Sequence, residues 1–94
     1  MTLTFEWDEA KATENLRKHG VGFDEAKTVF GDHLSLTIAD TQHSAGEGRY
    51  IDIGMSVRQR LLVVVYTEKA TNKIRIISSR RATKAEQREY EYGT

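Results

Sequence analysis

The sequence predicts an α+β domain in which a twisted antiparallel sheet carries two N-terminal helices and one C-terminal helix. The expected order is β-α-α-β-β-β-β-α, with the helices packed on one face of the sheet. Three observations lead to this fold class. Residues 8–31 combine helical spacing with helix caps, residues 34–79 change to the alternating pattern of strands, and a helix-start motif follows at residues 83–86.

The first third of the chain reads as a strand followed by two helices. Apolar and polar residues alternate over residues 3–7, which is the period of a short strand with one buried face. Asp8 offers an N-cap oxygen, and apolar residues at helical spacing then lead to Gly20, a typical C-terminal stop. A second helix opens within residues 22–25 and ends near Gly31.

The remainder of the chain has the period of strands. Residues 34–38 and 50–55 alternate, and between them residues 39–48 form a polar loop of a length that is often functional. The continuous apolar run at residues 61–66 predicts a central strand that is covered on both faces. A turn then leads to a last strand at residues 73–79, which completes an antiparallel meander.

The composition excludes several classes of function. The 94 residues are 38% hydrophobic and 30% charged, which fits one soluble domain over residues 1–94. No apolar run approaches the roughly 18 residues of a membrane helix, and no secretion signal is present, so we expect a cytoplasmic protein. The absence of cysteine excludes disulfides and thiolate chemistry, and we expect neither a metal nor a cofactor. P-loop, nucleophile-elbow and dinucleotide-binding patterns are also missing.

The neutral net charge conceals an asymmetry between the two halves. Residues 1–48 carry four Lys/Arg and nine Asp/Glu, a net charge of −5, and residues 49–94 carry ten and five, a net charge of +5. A basic half suits an anionic partner such as nucleic acid or an acidic protein. The alternative is that the two halves neutralise each other across the fold.

Two adjacent arginines, Arg80 and Arg81, follow the last strand. Successive side chains of an extended chain point to opposite faces, so we expect Arg80 to share a face with Ile74, Ile76 and Ser78. Arg81 then points the other way. Only one of the two arginines can therefore line a given groove.

A capping box at residues 83–86 starts the C-terminal helix directly after these arginines. The positive end of a helix beside a guanidinium group forms a plausible corner for binding phosphate. Tyr90 is four residues after Glu86, on the same helix face, and its hydroxyl can lie beside this corner. The alternative is a solvated helix whose exposed charges pair only weakly.

His19 and Arg49 are further candidates. His19 is expected at the end of the first helix, beside the buried stripe of Ala12 and Leu16, where it can exchange a proton near neutral pH or serve as a structural hydrogen-bonding group. Arg49 precedes a strand and can lie on the exposed face of the sheet. Arg58 and Arg60 fall in a turn, where we expect them to be solvated.

Four segments form a series along the chain: FEWD at residues 5–8, NLRKHGV at 15–21, RYIDIGMS at 49–56 and IISSRRA at 76–82. In order and spacing they resemble the BrnT toxins of bacterial type II toxin–antitoxin systems. The resemblance runs from Phe5 to about Glu91, and four motifs in sequence are far more specific than any one of them.

The resemblance implies a RelE-like fold and a ribonuclease that cleaves RNA without the ribosome, usually without metal. It also implies a protein partner, a BrnA antitoxin with a ribbon-helix-helix DNA-binding domain. Two toxins and two antitoxins would form a complex that binds operator DNA through the antitoxin. Cleavage in such folds drives the 2′-hydroxyl of RNA onto the adjacent phosphate.

The matching positions imply the site residues. Arg80, His19, Arg49 and Tyr90 are the catalytic candidates, and Lys18 and Arg81 are candidates for RNA binding. Many relatives have alanine, arginine and lysine where this chain has Ser79, Arg80 and Arg81, which leaves the role of Arg81 open. Either His19 or Tyr90 can act as acid or base. A non-catalytic module that binds an acidic protein or DNA through the same basic face remains the alternative.

Overall fold

The computed structural model describes residues 2–40 and 48–93, within which the order of strands and helices is the predicted one. Five strands form one sheet: β1 (Thr4–Glu6), β2 (Leu36–Ala39), β3 (Arg49–Met55), β4 (Leu61–Ala70) and β5 (Lys73–Arg81). The helices are α1 (Glu9–His19), α2 (Phe23–Ala26) and α3 (Lys84–Tyr92), with a 3₁₀ helix at Lys27–Gly31 after α2. Most of the loop predicted at residues 39–48 lies outside the described residues. No helix in the described part of the chain is long and apolar enough to cross a membrane.

The strand order is β1-β5-β4-β3-β2, which makes β4 the central strand. Strands β2 to β5 pair antiparallel, as the meander predicts. Strand β1 is the exception, since it pairs parallel with β5 at the edge of the sheet. The chain between them, residues 7–72, includes the two N-terminal helices and strands β2 to β4, and is far longer than the dozen or so residues that a parallel pair requires. Leu62, Val63 and Val64 of β4 are all buried, so both faces of the central strand are covered.

The hydrophobic core lies between the sheet and the N-terminal helices. Phe30 joins the two, because its ring packs 5.3 Å from that of Phe5 and 4.8 Å from that of Tyr66. Burial of such large apolar and aromatic side chains is the main stabilising contribution in a domain of this size. Phe5 and Phe30 are partly buried, and the buried members of the core besides Tyr66 are Val21, Phe23, Ala26, Val29, Leu62, Val64, Ile74 and Ile76.

Helix ends follow the local signals in the sequence. The Asp8 side chain accepts a hydrogen bond from the Lys11 backbone N–H at 3.1 Å, which caps α1. Gly20 ends α1 with φ 69°, a left-handed conformation that glycine adopts at little cost. Helix α3 begins on the opposite face of the sheet, because Glu86 binds Arg80, whose side chain is on the face away from the core. The expectation that all helices share one face is therefore wrong for α3.

Strand β5 contains an irregularity that alters which residues share a face. Val65 pairs with Ser78, but the next residue of β4, Tyr66, pairs with Ile76, so Ile77 is an extra residue in β5. As a result Ile76 packs in the core, whereas Ser78 lines the cavity on the opposite face. The expectation that Ile74 and Ile76 share a face with Ser78 and Arg80 is therefore wrong.

Candidate active site

A cavity of about 310 Å³ opens on the face of the sheet that the N-terminal helices leave uncovered. We call this surface the open face, defined by Ile51 of β3, Val63 and Val65 of β4, and Ser78 and Arg80 of β5. These residues alternate along their strands with residues of the core, so the apolar floor of the cavity follows from strand geometry. His19, Ser79 and Glu86 complete the lining.

Arg80 is the central cation of this cavity, and its guanidinium group binds the Glu86 carboxylate at two points. Nη1 donates to Oε1 and Nη2 donates to Oε2, each at 2.8 Å. Nη1 also donates to the Arg81 carbonyl oxygen at 3.1 Å. The hydrogen bonds from Arg80 lower the pKa of Glu86 to about 2, and the same pairing raises the pKa of Arg80. Both groups therefore stay ionised throughout the neutral range.

The start of α3 forms the predicted capping box. Thr83 Oγ1 accepts from the Glu86 backbone N–H at 3.2 Å, and the Glu86 carboxylate accepts from the Thr83 backbone N–H at 2.8 Å. The Glu86 carboxylate thus already occupies the corner between the helix start and Arg80 where the sequence predicts a phosphate. Any phosphate has to use other donors of Arg80 or displace Glu86.

His19 reaches the cavity because α1 is fastened to β5. The Asn15 side chain, 6% exposed, donates at 2.8 Å to the Val21 carbonyl and at 2.8 Å to the Ser79 carbonyl. Its oxygen accepts from the Ser79 N–H at 3.1 Å. These contacts hold the end of α1 beside the end of β5, so His19 and Ser78 line the same cavity. An adjoining cavity of about 200 Å³ is lined by the same two residues and by Lys18.

Sequence reasoning missed Asn15 because it placed Leu16 on the buried stripe of α1. Leu16 is 55% exposed, and Asn15 is buried instead. Ala12, Asn15 and His19 are separated by three and four positions, which is also helical spacing. A polar residue in that register is a signal that the side chain bonds backbone groups of a neighbouring element.

Tyr90 makes a contact away from the cavity lining. Its hydroxyl donates to Asp32 Oδ2 at 2.7 Å, and the same oxygen accepts from the Met55 N–H at 2.8 Å. The bond to Asp32 and burial raise the pKa of Tyr90 to about 12. Although burial acts against it, the hydrogen bonds from Met55, Tyr90 and Leu34 lower the pKa of Asp32. This arrangement fastens α3 to the rest of the fold.

Arg49 and Arg81 lie apart from Arg80. Arg49 begins β3 opposite Thr67, whereas Arg80 is opposite Val63, four positions along β4. At about 3.3 Å per residue these positions are roughly 13 Å apart along the strand. Arg81 is exposed and pairs with Leu62, whose side chain is in the core, so Arg81 is on the other face from Arg80. The predicted separation of the two arginines is confirmed.

Arg60 differs from the solvated residue expected in its turn. Its Nε donates at 3.0 Å to Oε2 of Glu25, and its Nη2 binds Oε1 of Glu25 and the Gly20 carbonyl. Glu25 is 5% exposed and also accepts from the Ser56 hydroxyl at 2.7 Å. The bonds from Arg60 hold the pKa of Glu25 below its usual value. A buried carboxylate needs such partners. Because Arg60 binds both Glu25 of α2 and the Gly20 carbonyl at the end of α1, the cluster ties these two helices to the β3–β4 turn. Arg58, with its guanidinium 3.8 Å from Glu25, stays exposed.

Within residues 2–40 and 48–93, no group of three or more His, Asp or Glu side chains is arranged to hold a metal ion. The polar residues that line the cavity are instead an arginine, a histidine, two serines and a glutamate. This set can bind an anion through Arg80 and can exchange a proton through His19.

Comparisons with known proteins identify relatives of the chain and of its fold. A family model described as "Ribonuclease toxin, BrnT, of type II toxin-antitoxin system" matches residues 7–86. The 1.1 Å crystal structure of the Brucella abortus ribonuclease toxin BrnT is similar, with a TM-score of 0.67 and 21% sequence identity. The similarity covers 88% of this chain and 100% of the Brucella chain, and at this identity it concerns the fold. No curated protein matches the sequence.

Proposed function

Because the chain belongs to the family of BrnT ribonuclease toxins of type II toxin–antitoxin systems, we propose that it cleaves RNA in the cavity of the open face, without a metal and without the ribosome. One observation carries this proposal. His19 of α1 comes from one part of the chain, Ser78 and Arg80 of β5 come from another, and all three meet around one cavity of about 310 Å³. That volume is in the range of small-ligand pockets.

The proposed reaction is an internal transfer within the RNA. The 2′-oxygen attacks the adjacent phosphorus and forms a new P–O bond, while the bond from phosphorus to the 5′-oxygen of the next nucleotide breaks. A base takes the proton of the 2′-hydroxyl, and an acid gives a proton to the departing 5′-oxygen. The products are a 2′,3′-cyclic phosphate and a 5′-hydroxyl. DNA lacks the 2′-hydroxyl and is not a substrate.

The proposal gives the cavity residues separate roles. Arg80 stabilises the negative charge that grows on the phosphate oxygens in the transition state. His19 is the group for proton transfer, because a neutral imidazole ring has one nitrogen that donates a proton and one that accepts a proton. Lys18 and Arg49 bind more distant phosphates of the RNA. Tyr90, with a pKa of about 12 and a hydroxyl bound to Asp32, supports the position of α3 instead of transferring protons.

A type II toxin family implies a protein antitoxin. We infer that a BrnA-type antitoxin with a ribbon-helix-helix domain neutralises this chain in the cytoplasm, as a complex of two toxins and two antitoxins that binds operator DNA. Expression of the chain alone in a bacterial host is expected to arrest growth, and co-expression of the antitoxin is expected to restore it. Continued growth with the soluble chain alone would count against the toxin function.

The direct test is incubation of the purified protein with a single-stranded RNA and with the DNA of the same sequence, both in EDTA. We expect RNA to be cut to products with 2′,3′-cyclic phosphate ends and DNA to stay intact. Loss of cleavage in EDTA that added metal restores would refute the metal-free reaction. If no RNA is cut under any condition, the open face is a binding surface for an acidic protein or DNA.

A further inference from the structure

The guanidinium group of Arg80 has two edges that can each bind an oxyanion, and Glu86 occupies only one of them. A guanidinium carries five N–H groups in a plane. One N–H on Nη1 and one on Nη2 point to the Glu86 carboxylate, and the second N–H on Nη1 points to the Arg81 carbonyl. Three of the five donors are therefore used.

The two remaining donors are the Nε–H and the second N–H on Nη2. They lie parallel on the side edge of the guanidinium plane, which is the geometry that binds two oxygens of one phosphate. Neither donor makes a hydrogen bond to the described residues. The Arg80 side chain is 43% exposed, and Arg80 lines the cavity together with Ser78 and His19.

Hydrogen bonds hold the Glu86 side chain in place, so Glu86 can in turn hold the guanidinium group of Arg80. Its carboxylate accepts from the Thr83 N–H, and its backbone N–H donates to Thr83 Oγ1, which anchors it in the first turn of α3. Tyr90 in turn anchors α3 through Asp32. A long arginine side chain held at one edge of its head group loses much of the freedom that an unbound one has.

We propose that Glu86 is a positioning residue, which holds Arg80 by one edge so that the Nε and Nη2 edge faces a phosphate of RNA bound in the cavity. This inference rests on the proposed ribonuclease function and deepens it. Glu86 also neutralises one positive charge, so Arg80 gives little attraction to RNA in the ground state. Arg80 contributes mainly in the transition state, because its two free donors are already oriented and do not have to reorganise when charge develops on the phosphate.

The kinetic test compares Glu86→Gln with Thr83→Ala. Glutamine keeps an oxygen for the Thr83 N–H but loses the charge and presents an NH₂ group to Arg80. We expect kcat to fall roughly 10- to 100-fold, as for other small misplacements of catalytic groups, while KM stays the same or falls because a negative charge has been removed. Thr83→Ala removes one of the two hydrogen bonds that anchor Glu86 but keeps the pair of Arg80 and Glu86, so its kcat should fall much less than that of Glu86→Gln.

Two results would overturn the inference. An unchanged or higher kcat for Glu86→Gln would mean that Glu86 competes with RNA for Arg80. An equal loss of kcat in both variants would mean that Glu86 acts only through the start of α3.

A second measurement does not depend on cleavage. An RNA whose 2′-hydroxyls are replaced by hydrogen at the cleavage site cannot react, and it can be titrated into protein labelled with ¹⁵N at arginine. We expect the Nε–H resonance of Arg80, identified by its loss in Arg80→Lys, to shift on binding, and the shift to be smaller in Glu86→Gln. An unmoved Arg80 resonance refutes the inference. A shifted resonance in a protein that cuts no RNA refutes the proposed function and leaves the positioning role in place.

Discussion

The Arg80 side chain remains 43% exposed while it binds Glu86. Water screens such a pair, so its contribution to the free energy of unfolding is on the order of 1 kcal/mol or less. The same guanidinium group has much more influence on the proposed reaction, because charge develops next to it in the transition state. A substitution at Arg80 should therefore affect cleavage far more than stability.

Replacement of Arg80 by alanine is expected to reduce kcat/KM for RNA cleavage by roughly 100- to 1000-fold, the usual effect of losing one donor to a developing negative charge. The thermal midpoint should fall by only a few degrees. Arg80→Lys is the matched control, since it keeps the charge and loses the parallel donors. Full activity in Arg80→Lys would show that charge alone is sufficient, and a collapsed midpoint in Arg80→Ala would make Arg80 structural.

Substitution of Asp52 should change the free energy of unfolding. Its carboxyl group is on the core face of β3, 2% exposed, and accepts hydrogen bonds from the hydroxyls of Thr37 and Tyr66. Burial raises the pKa of Asp52, and these two hydrogen bonds only partly oppose that effect. The folded state therefore favours the protonated form more strongly than the unfolded chain does.

The stability that Asp52 contributes is complete below its unfolded pKa of about 3.9. It is lost as the pH rises through the higher pKa of the folded state. Asp52→Asn cannot titrate, so its free energy of unfolding should increase relative to that of the unchanged protein between pH 4 and pH 7. Urea unfolding of both proteins across this range measures the difference, with the lowest pH as the internal reference. A constant difference would mean that burial does not disfavour the charged form of Asp52.

At the scale of elements, one side chain determines how α1 meets β5. Asn15 satisfies two backbone carbonyls and one backbone N–H, all of them at the junction of the two elements. No apolar residue of similar size can replace those bonds. The position of His19 at the cavity therefore depends on a residue that does not itself line the main cavity.

Asn15→Ala is expected to lower the free energy of unfolding by about 2 to 4 kcal/mol, because buried backbone groups of Val21 and Ser79 lose their partner. Chemical denaturation measures this change. The matched control is Leu16→Ala, the next residue along α1, which is 55% exposed and should cost well under half as much. If the two variants lose equal stability, the Asn15 contacts are not what secures α1.

The elements that depend on neighbouring residues could be predicted from the sequence. The caps at Asp8, Gly20 and Thr83 each involve residues within four positions of one another, and all three form as expected. The central position of β4 also follows from its own apolar run. For such features the local pattern contains the physical cause.

Features that depend on distant residues could not be predicted in the same way. The extra residue Ile77 exists because of how β5 pairs with β4, so alternation alone placed Ile76 on the wrong face. The partner of Arg60 was equally hidden, because Glu25 is 35 positions away along the chain. For Arg80 the sequence predicted a phosphate corner, and it missed the carboxylate already there.

At the scale of the whole molecule, the acidic first half and the basic second half partly neutralise each other. Glu6 contacts Lys73 at 3.3 Å and Arg75 at 2.9 Å, and Glu25 binds Arg60. These pairs leave fewer unneutralised cations than the net charge of +5 in residues 49–94 suggests. The attraction for RNA should therefore come from a small number of positions around the cavity.

Lys18 is one of these positions, since it lines the adjoining cavity of about 200 Å³ together with His19. Lys18→Ala is expected to weaken binding of an uncleavable RNA and to reduce the slope of log K against log salt concentration by about 0.7, the value for one phosphate contact with a single strand. Lys27→Ala, on the 3₁₀ helix, is the control and should leave the slope unchanged. An unchanged slope in Lys18→Ala would remove Lys18 from the RNA-binding surface.

Because β1 pairs with β5, the sheet cannot be completed until the ribosome has made both the first and the last strand. Glu6 of β1 and Arg75 of β5 are 69 positions apart, and β5 also contains Arg80. At about 5 to 20 residues per second, synthesis needs on the order of 3 to 14 seconds to advance from one strand to the other. During that interval His19 has been made and Arg80 has not, so the nascent chain contains an incomplete cavity. Under the proposed function, the cavity is complete only when the last strand of the sheet has been translated.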